Sequence, residues 1–306
     1  MRRDRKKAIL SQVRYEFIYL TIQELHHTAS YPITELCDFA SIQRSSYYKW
    51  LKRKDSTNEQ FNKELLSLIK NAYEERNGIL GYRQITIKLN REHGLNVNHK
   101  RIYRLMKILN LKSICRRKRK NYIKSTPEIT AGNVLNREFE ADGFGKKWLT
   151  DVTEMKYGLG GKAYLSSILD LGDKSIVSFV IGHSNNNELV FKTFDIAHNQ
   201  YPDAKPIFHS DRGFQYTSKV FKRKLDDAGM TQSMSRVSRC IDNGPMEAFW
   251  GMMKSEMYYL RKFSSYTELE AAIIEYIDYY NNHRYQKRLK CMTPIEYRQY
   301  LLNLTA

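Results

Sequence analysis

Cysteine, proline, acidic side chains and long apolar runs are all in short supply in this chain, and each shortage closes off a class of protein. The four cysteines stand far apart at positions 37, 115, 240 and 291, with no Cys-x-x-Cys and no histidine pair followed by a cysteine pair. That spacing excludes a zinc-bound arm or a disulfide framework and fits idle thiols in a reducing compartment. No apolar run reaches the roughly 18 residues of a membrane-helix candidate. The opening Met1-Arg2-Arg3-Asp4-Arg5-Lys6-Lys7 leads into an amphipathic helix rather than an apolar leader. A cytoplasmic protein with no membrane partner is expected. Acid is outnumbered by base, 33 Asp+Glu against 51 Lys+Arg, for a formal charge of +18. Residues 1–140 hold 29 of the basic and 14 of the acidic side chains, and residues 141–306 hold 22 and 19. The front half is therefore the expected footprint on a polyanion, and the back half is nearly neutral. A hydrophobic content of 42%, with 22 Tyr and 13 Phe, supplies packed cores and excludes a disordered basic tail.

Two stretches of the basic half have the pattern of helix-turn-helix units. In the first (1–56), a helix over about 5–28 precedes Pro32 to Ala40, where Ile33, Leu36, Cys37 and Ala40 share one helical face. Ser41 and Ile42 form the turn, and Arg44, Ser45, Ser46, Tyr47, Tyr48 and Lys49 form the exposed second helix. The second unit (57–112) has a helix at about 59–75, then Gly81 to Leu89 closed by Gly94, then a helix over 99–110 with Asn98 as its cap. Ile102, Leu105, Met106 and Leu109 face its core, leaving Lys100, Arg101, Arg104 and Lys107 on the other side. Such a second helix presents its polar side to base edges and phosphates in the major groove. Ordinary three-helix packing with solvated basic faces gives the same pattern, but two such units in tandem favour DNA. A basic linker (113–140) follows, carrying Arg116, Arg117, Lys118, Arg119 and Lys120, and is expected to lie along a phosphate backbone.

Past residue 140 the pattern alternates. Strands are predicted at 147–157, 163–171, 175–182, 205–209 and 231–235, with a hairpin turn at 158–161. Helices are predicted at 186–200, at 217–229 and from Gly244-Pro245 to about 260. An initial meander followed by alternating strands and helices implies an α/β domain (141–302) built on a mixed five-stranded sheet flanked by helices. In it, Asp151 lies on the first strand, Asp211 just past the end of the fourth and Glu247 in the first turn of a helix, with 35 residues between the last two. Three hard carboxylates gathered at strand ends have the chemistry to hold two Mg²⁺ ions on a phosphodiester. Lys254, two turns beyond Glu247, is placed to neutralise a neighbouring phosphate. Asp170, Asp173, Asp195 and Asp242 read as turn formers or caps, and Trp148 and Trp250 as core aromatics. The tyrosine-rich segment 264–302 is helical and fits either the core or DNA.

Four motifs carry a family resemblance: Trp148-x-Thr150-Asp151-x-Thr153, His209-Ser210-Asp211-Arg212-Gly213-x-Gln215-Tyr216, Asp242-Asn243-x-x-x-Glu247-x-Phe249-Trp250 with Lys254 and Glu256, and Tyr280-Asn281-Asn282-His283-Arg284 with Thr293-Pro294. The chain resembles bacterial insertion-sequence transposases of the insertion sequence three branch, relatives of retroviral integrases. The resemblance implies an RNase H-like core in which Asp151, Asp211 and Glu247 bind two Mg²⁺ ions, with Mn²⁺ able to substitute, and in which Lys254 contacts DNA. It also implies strand cleavage and strand transfer at element ends without a covalent protein–DNA intermediate. The expected partners are double-stranded DNA (terminal inverted repeats and target) and at least one further copy of the chain, in association with the nucleoid. A catalytically weak DNA-binding regulator of transposition and a metal-dependent nuclease are the alternatives.

Overall fold

The computed structural model describes residues 18–115, 133–136, 138–236 and 240–305. The expected start of the first helix and the cations Arg116, Arg117, Lys118, Arg119 and Lys120 lie outside the described residues. The chain divides into two compact units, residues 1–65 and 66–306.

In the first unit a helix with described residues 18–29 (α1) is followed by α2 (Ile33–Phe39) and α3 (Arg44–Leu51), and α4 (Thr57–Glu75) begins. Ile22, Cys37 and Tyr47 form the small core, backed by Tyr19, Ile33, Leu36 and Trp50. The turn is where the sequence places it, with Ser41 at φ +56. Arg44 and Lys49 are exposed on α3, whereas Tyr47, expected on the exposed face, is turned inward and 1% exposed. An aromatic ring three residues before Trp50 shares its face, so burying one carries the other.

The second unit opens with the rest of α4, then α5 (Tyr82–Glu92) and α6 (His99–Ile108). Asn98 caps α6, its side-chain oxygen accepting from Lys100 N at 2.8 Å. Ile102, Leu105 and Met106 are buried, while Lys100, Arg104 and Lys107 are exposed and Arg101 is half-buried. Two contacts tie this helical trio to the end of the chain. Arg91 donates to both carboxylate oxygens of Glu296 at 2.8 and 2.9 Å, and the Arg76 guanidinium lies 4.2 Å over the Tyr279 ring.

The remainder is an α/β layer. Strands β1 (Lys147–Tyr157), β2 (Gly161–Asp170) and β3 (Ile176–Gly182) form an antiparallel meander, and β4 (Ile207–Ser210) and β5 (Thr231–Met234) add in parallel beside β1. The order is β3-β2-β1-β4-β5. Helices α7 (Asn187–Gln200) and α8 (Lys219–Asp227) cover one face, where Phe194, Phe208, Phe221 and Leu225 pack around Trp148. Helices α9 (Gly244–Glu256) and α10 (Tyr266–Asn282) cover the other, where Phe249, Met253, Ile273 and Tyr280 pack on Leu149, Leu165 and Leu169. The period-2 alternation of Trp148 and Leu149 between the two cores fixes which way Asp151 points: to the α9 side, with Leu149. The helix expected over 217–229 is shorter, because Ser218 caps it by accepting from Phe221 N at 3.2 Å. That expected to reach 260 stops at Glu256, and Tyr258–Leu260 tighten into a 3-10 turn.

The tail, α10 with α11 (Pro294–Thr305), packs on the core. Arg284 forks onto Glu256 at 2.7 and 3.0 Å, Tyr276 adds a hydroxyl to the same carboxylate at 2.9 Å, and Tyr280 donates to Lys174 O at 2.9 Å. Asn281 grips the first residue of β3 twice, accepting from Ile176 N and donating to Ile176 O, both at 2.9 Å.

Candidate active site

Asp151 and Asp211 owe their proximity to strand register. In the parallel pair, Leu149 stands opposite His209, so counting two further along brings Asp151, in the middle of β1, beside Asp211, just past the end of β4. Adjacent strands run about 4.8 Å apart. Glu247 comes from the first turn of α9. Trp250, one turn on, donates its indole N–H to Asp151 Oδ2 at 2.9 Å, and Lys254, a further turn on, donates to Thr153 Oγ1 at 2.6 Å and to Glu154 O at 3.2 Å. Positions 247, 250 and 254 therefore form one stripe facing β1. Asn243, just before α9, adds a bond to Thr150 O at 3.1 Å.

The carboxylates are held by neutral donors. Asp151 Oδ1 accepts from its own neighbour Val152 N at 2.9 Å, and Asp211 Oδ1 accepts from Gly213 N at 2.9 Å. Space at Gly213 is tight: a Cβ there would stand 3.1 Å from that same oxygen and 2.9 Å from Gln215 Oε1, so one of those side chains would have to shift. Among the described residues none of the three acids forms an ion pair, and Glu247 makes no side-chain hydrogen bond. Burial, and then the charges of Asp211 and Glu247, push the Asp151 carboxyl up to about 7. Burial likewise raises Asp211, against the pull of the Gly213 N–H. The trio is thus one electrostatic neighbourhood with uncompensated negative charge. Its side chains do not close into a cage: among the described residues no group of three or more His, Cys, Asp or Glu is arranged to hold a metal ion. The donor set fits a hard divalent cation all the same, being all oxygen, anionic and without a competing lysine or arginine in an ion pair.

The other candidates have structural duties. His209 is fully buried, with Nδ1 on Ser233 Oγ at 2.8 Å and Nε2 on Ser235 Oγ at 3.1 Å, and burial lowers it to about 4. Asp242 accepts from Arg236 N, Nε and Nη2 and from Asn133 Nδ2. Asp170 closes its turn with N–H bonds from Gly172, Asp173, Gly145 and Trp148. Asp195 is neither turn former nor cap: it sits inside α7 and pairs with Lys224 of α8 at 2.7 Å, because that helix face meets a neighbour rather than water. Arg212 Nε donates to Ser235 O at 2.7 Å. Tyr216, beside the acids, is buried with its hydroxyl 3.2 Å from Thr150 Oγ1, and burial together with Asp151 holds it protonated far above the usual tyrosine range.

Residues 60–119 match the HTH-like domain model, and residues 142–240 and 247–302 match two integrase core domain models. Transposase InsK of insertion sequence element IS150 from Escherichia coli K12 is 39% identical over 269 residues, covering 88% of this chain and 94% of that protein. The chain belongs to the insertion-sequence transposase family. It is a DNA transposase, a polynucleotidyl transferase by class, with an RNase H-like core behind an HTH-like domain. A 31 kDa protein of insertion element IS600 from Shigella sonnei is 33% identical over 271 residues, covering 86% of the transposase and 97% of the relative. Among solved structures, the HTLV-2 integrase catalytic core domain in complex with magnesium aligns with a TM-score of 0.41 and 19% identity, over 51% of the transposase and 97% of that chain. No helix among the described residues is long and apolar enough to cross a membrane.

Proposed function

We propose that this transposase binds the ends of an insertion sequence and cuts and joins DNA at Asp151, Asp211 and Glu247 with divalent cations, Mg²⁺ or Mn²⁺, held there. The observation that carries the reading is the set of three acids beside one another with no cationic partner among the described residues. A bound divalent cation lowers the pKa of water and offsets charge on a phosphodiester. The chain's own part is placement. Strand register sets Asp151 beside Asp211, Gly213 N–H orients the Asp211 carboxylate, and α9 brings Glu247 over β1. Lys254, held at Thr153, supplies positive charge beside the site for a phosphate. The exposed cations of α3 (Arg44, Lys49) and the basic side of α6 (Lys100, Arg101, Arg104, Lys107) hold duplex DNA, with Arg116, Arg117, Lys118, Arg119 and Lys120 along its backbone. Joining two ends in one event takes a copy of the site at each, so the reading includes at least a dimer on DNA.

Asp211→Ala tests it. Strand joining of labelled end DNA with Mg²⁺ falls at least a hundredfold while the gel-shift affinity for the same DNA stays within twofold (order-of-magnitude expectations from removing a ligand whose electrostatic role is of this size). Joining at the wild-type rate would refute the reading.

A further inference from the structure

We infer that Trp250 is a positioning residue for Asp151, its indole N–H holding the carboxylate in the orientation in which the acid meets a divalent cation. The inference rests on the reading of Asp151 as a cation ligand.

Trp250 Nε1 lies 2.9 Å from Asp151 Oδ2, and the ring is 6% exposed, wedged beside Phe249 at 5.1 Å between centroids. The other oxygen, Oδ1, accepts from Val152 N at 2.9 Å. With a donor on each oxygen the carboxylate plane cannot rotate freely, so the cost of ordering it is met on folding rather than on binding. The choice of donor matters as much as its presence. Three buried acids of this core face an arginine, Arg298 for Asp173, Arg236 for Asp242 and Arg284 for Glu256, while a fourth, Asp170, takes only N–H donors, the Trp148 indole among them. An arginine at Asp151 would fix it equally well and cancel its charge. An indole N–H never ionises and only donates, so it orients Asp151 without setting a positive charge beside it. Glu247 lies one turn before Trp250 on α9 and is carried over β1 with it. Packing alone does not call for the N–H: phenylalanine would fill most of the volume between Phe249 and the strand. A buried indole N–H does need some acceptor, and whether this one merely satisfies the ring or tunes the acid is what the experiment separates.

Mn²⁺ is titrated into the full-length chain, following free Mn²⁺ by electron paramagnetic resonance and metal-dependent stabilisation by thermal unfolding. Wild type is compared with Trp250→Phe and Asp151→Ala. Trp250→Phe is expected to need roughly tenfold more Mn²⁺ for half-saturation, the usual scale for losing a group that orients a metal ligand, with metal-free melting and affinity for end DNA unchanged. If Trp250→Phe does not fold, benzothienylalanine is placed at 250 instead, which keeps the ring shape and replaces the N–H with sulfur. A wild-type Mn²⁺ midpoint in the chain lacking the N–H, with Asp151→Ala having lost binding, overturns the inference alone. A wild-type midpoint in Asp151→Ala overturns the cation reading, and the inference with it.

Discussion

Two sets of carboxylates share this α/β core and are treated in opposite ways. Asp173, Asp242 and Glu256 are buried to 8% exposure or less, and each faces an arginine. Asp151, Asp211 and Glu247 stand together with neutral N–H donors or none, and with their own charges pressing on one another. The first arrangement lowers the free energy of the fold given that the acids are buried; the second raises it.

The contrast can be broken most sharply at Arg298. Its guanidinium bonds Asp173, Ser175 and the Tyr201 hydroxyl and lies 3.8 Å over the Phe144 ring. Arg298→Leu leaves Asp173 buried without its partner, and unfolding by urea should show a loss of about 3–5 kcal/mol. A variant as stable as the parent would mean that the arginines do not compensate the acids. The next effect comes from His209, whose folded-state pKa of about 4 lies below its ordinary 6.5. Below pH 6.5 the unfolded chain takes up a proton that the folded chain refuses until about pH 4, so stability falls on acidification across that window, by at most roughly 3 kcal/mol. His209→Gln keeps polar atoms for Ser233 and Ser235, and its stability should lose about one proton's worth of that slope relative to wild type. Equal slopes would show that His209 titrates normally. The smallest effect has the opposite sign. Asp211→Asn keeps an oxygen for the Gly213 N–H and deletes a charge that the fold disfavours. In metal-free buffer at neutral pH it should melt slightly higher, by a few tenths to about 1 kcal/mol once solvent screening is allowed for, while joining is lost. A lower melting temperature would place Asp211 with the compensated acids.

Much of this was legible in the chain because the relevant signals are local. The strand over 147–157 matches β1 to the residue, since its alternation serves two different cores, and Asn98 announces α6 by its side chain. That Asp151 and Asp211 are electrostatic neighbours was legible only in part: one lies on the first strand and the other just past the fourth, and the parallel register of those strands sets them side by side. What periodicity does not carry is the direction of a polar tip on a buried ring. Trp250 reads as a core aromatic, which it is, and its N–H meets Asp151 only because α9 crosses β1 at that point. The Glu256–Arg284 fork spans 28 positions and the Arg91–Glu296 pair 205, so neither leaves a trace in local spacing. For the same reason segment 264–302 could be read as helical but not assigned to the core. Asp195 misled because its partner, Lys224, lies 29 positions away on the next helix.

One consequence follows from Asn281. β3 is an outer strand, and an outer strand normally leaves peptide groups that invite another polypeptide to zip on and grow into aggregates. The asparagine amide takes both groups of Ile176, mimicking the backbone of a missing neighbour. Any second molecule crowded against this rim, as on a shared stretch of DNA, finds the first rung already filled and must seek its contacts elsewhere.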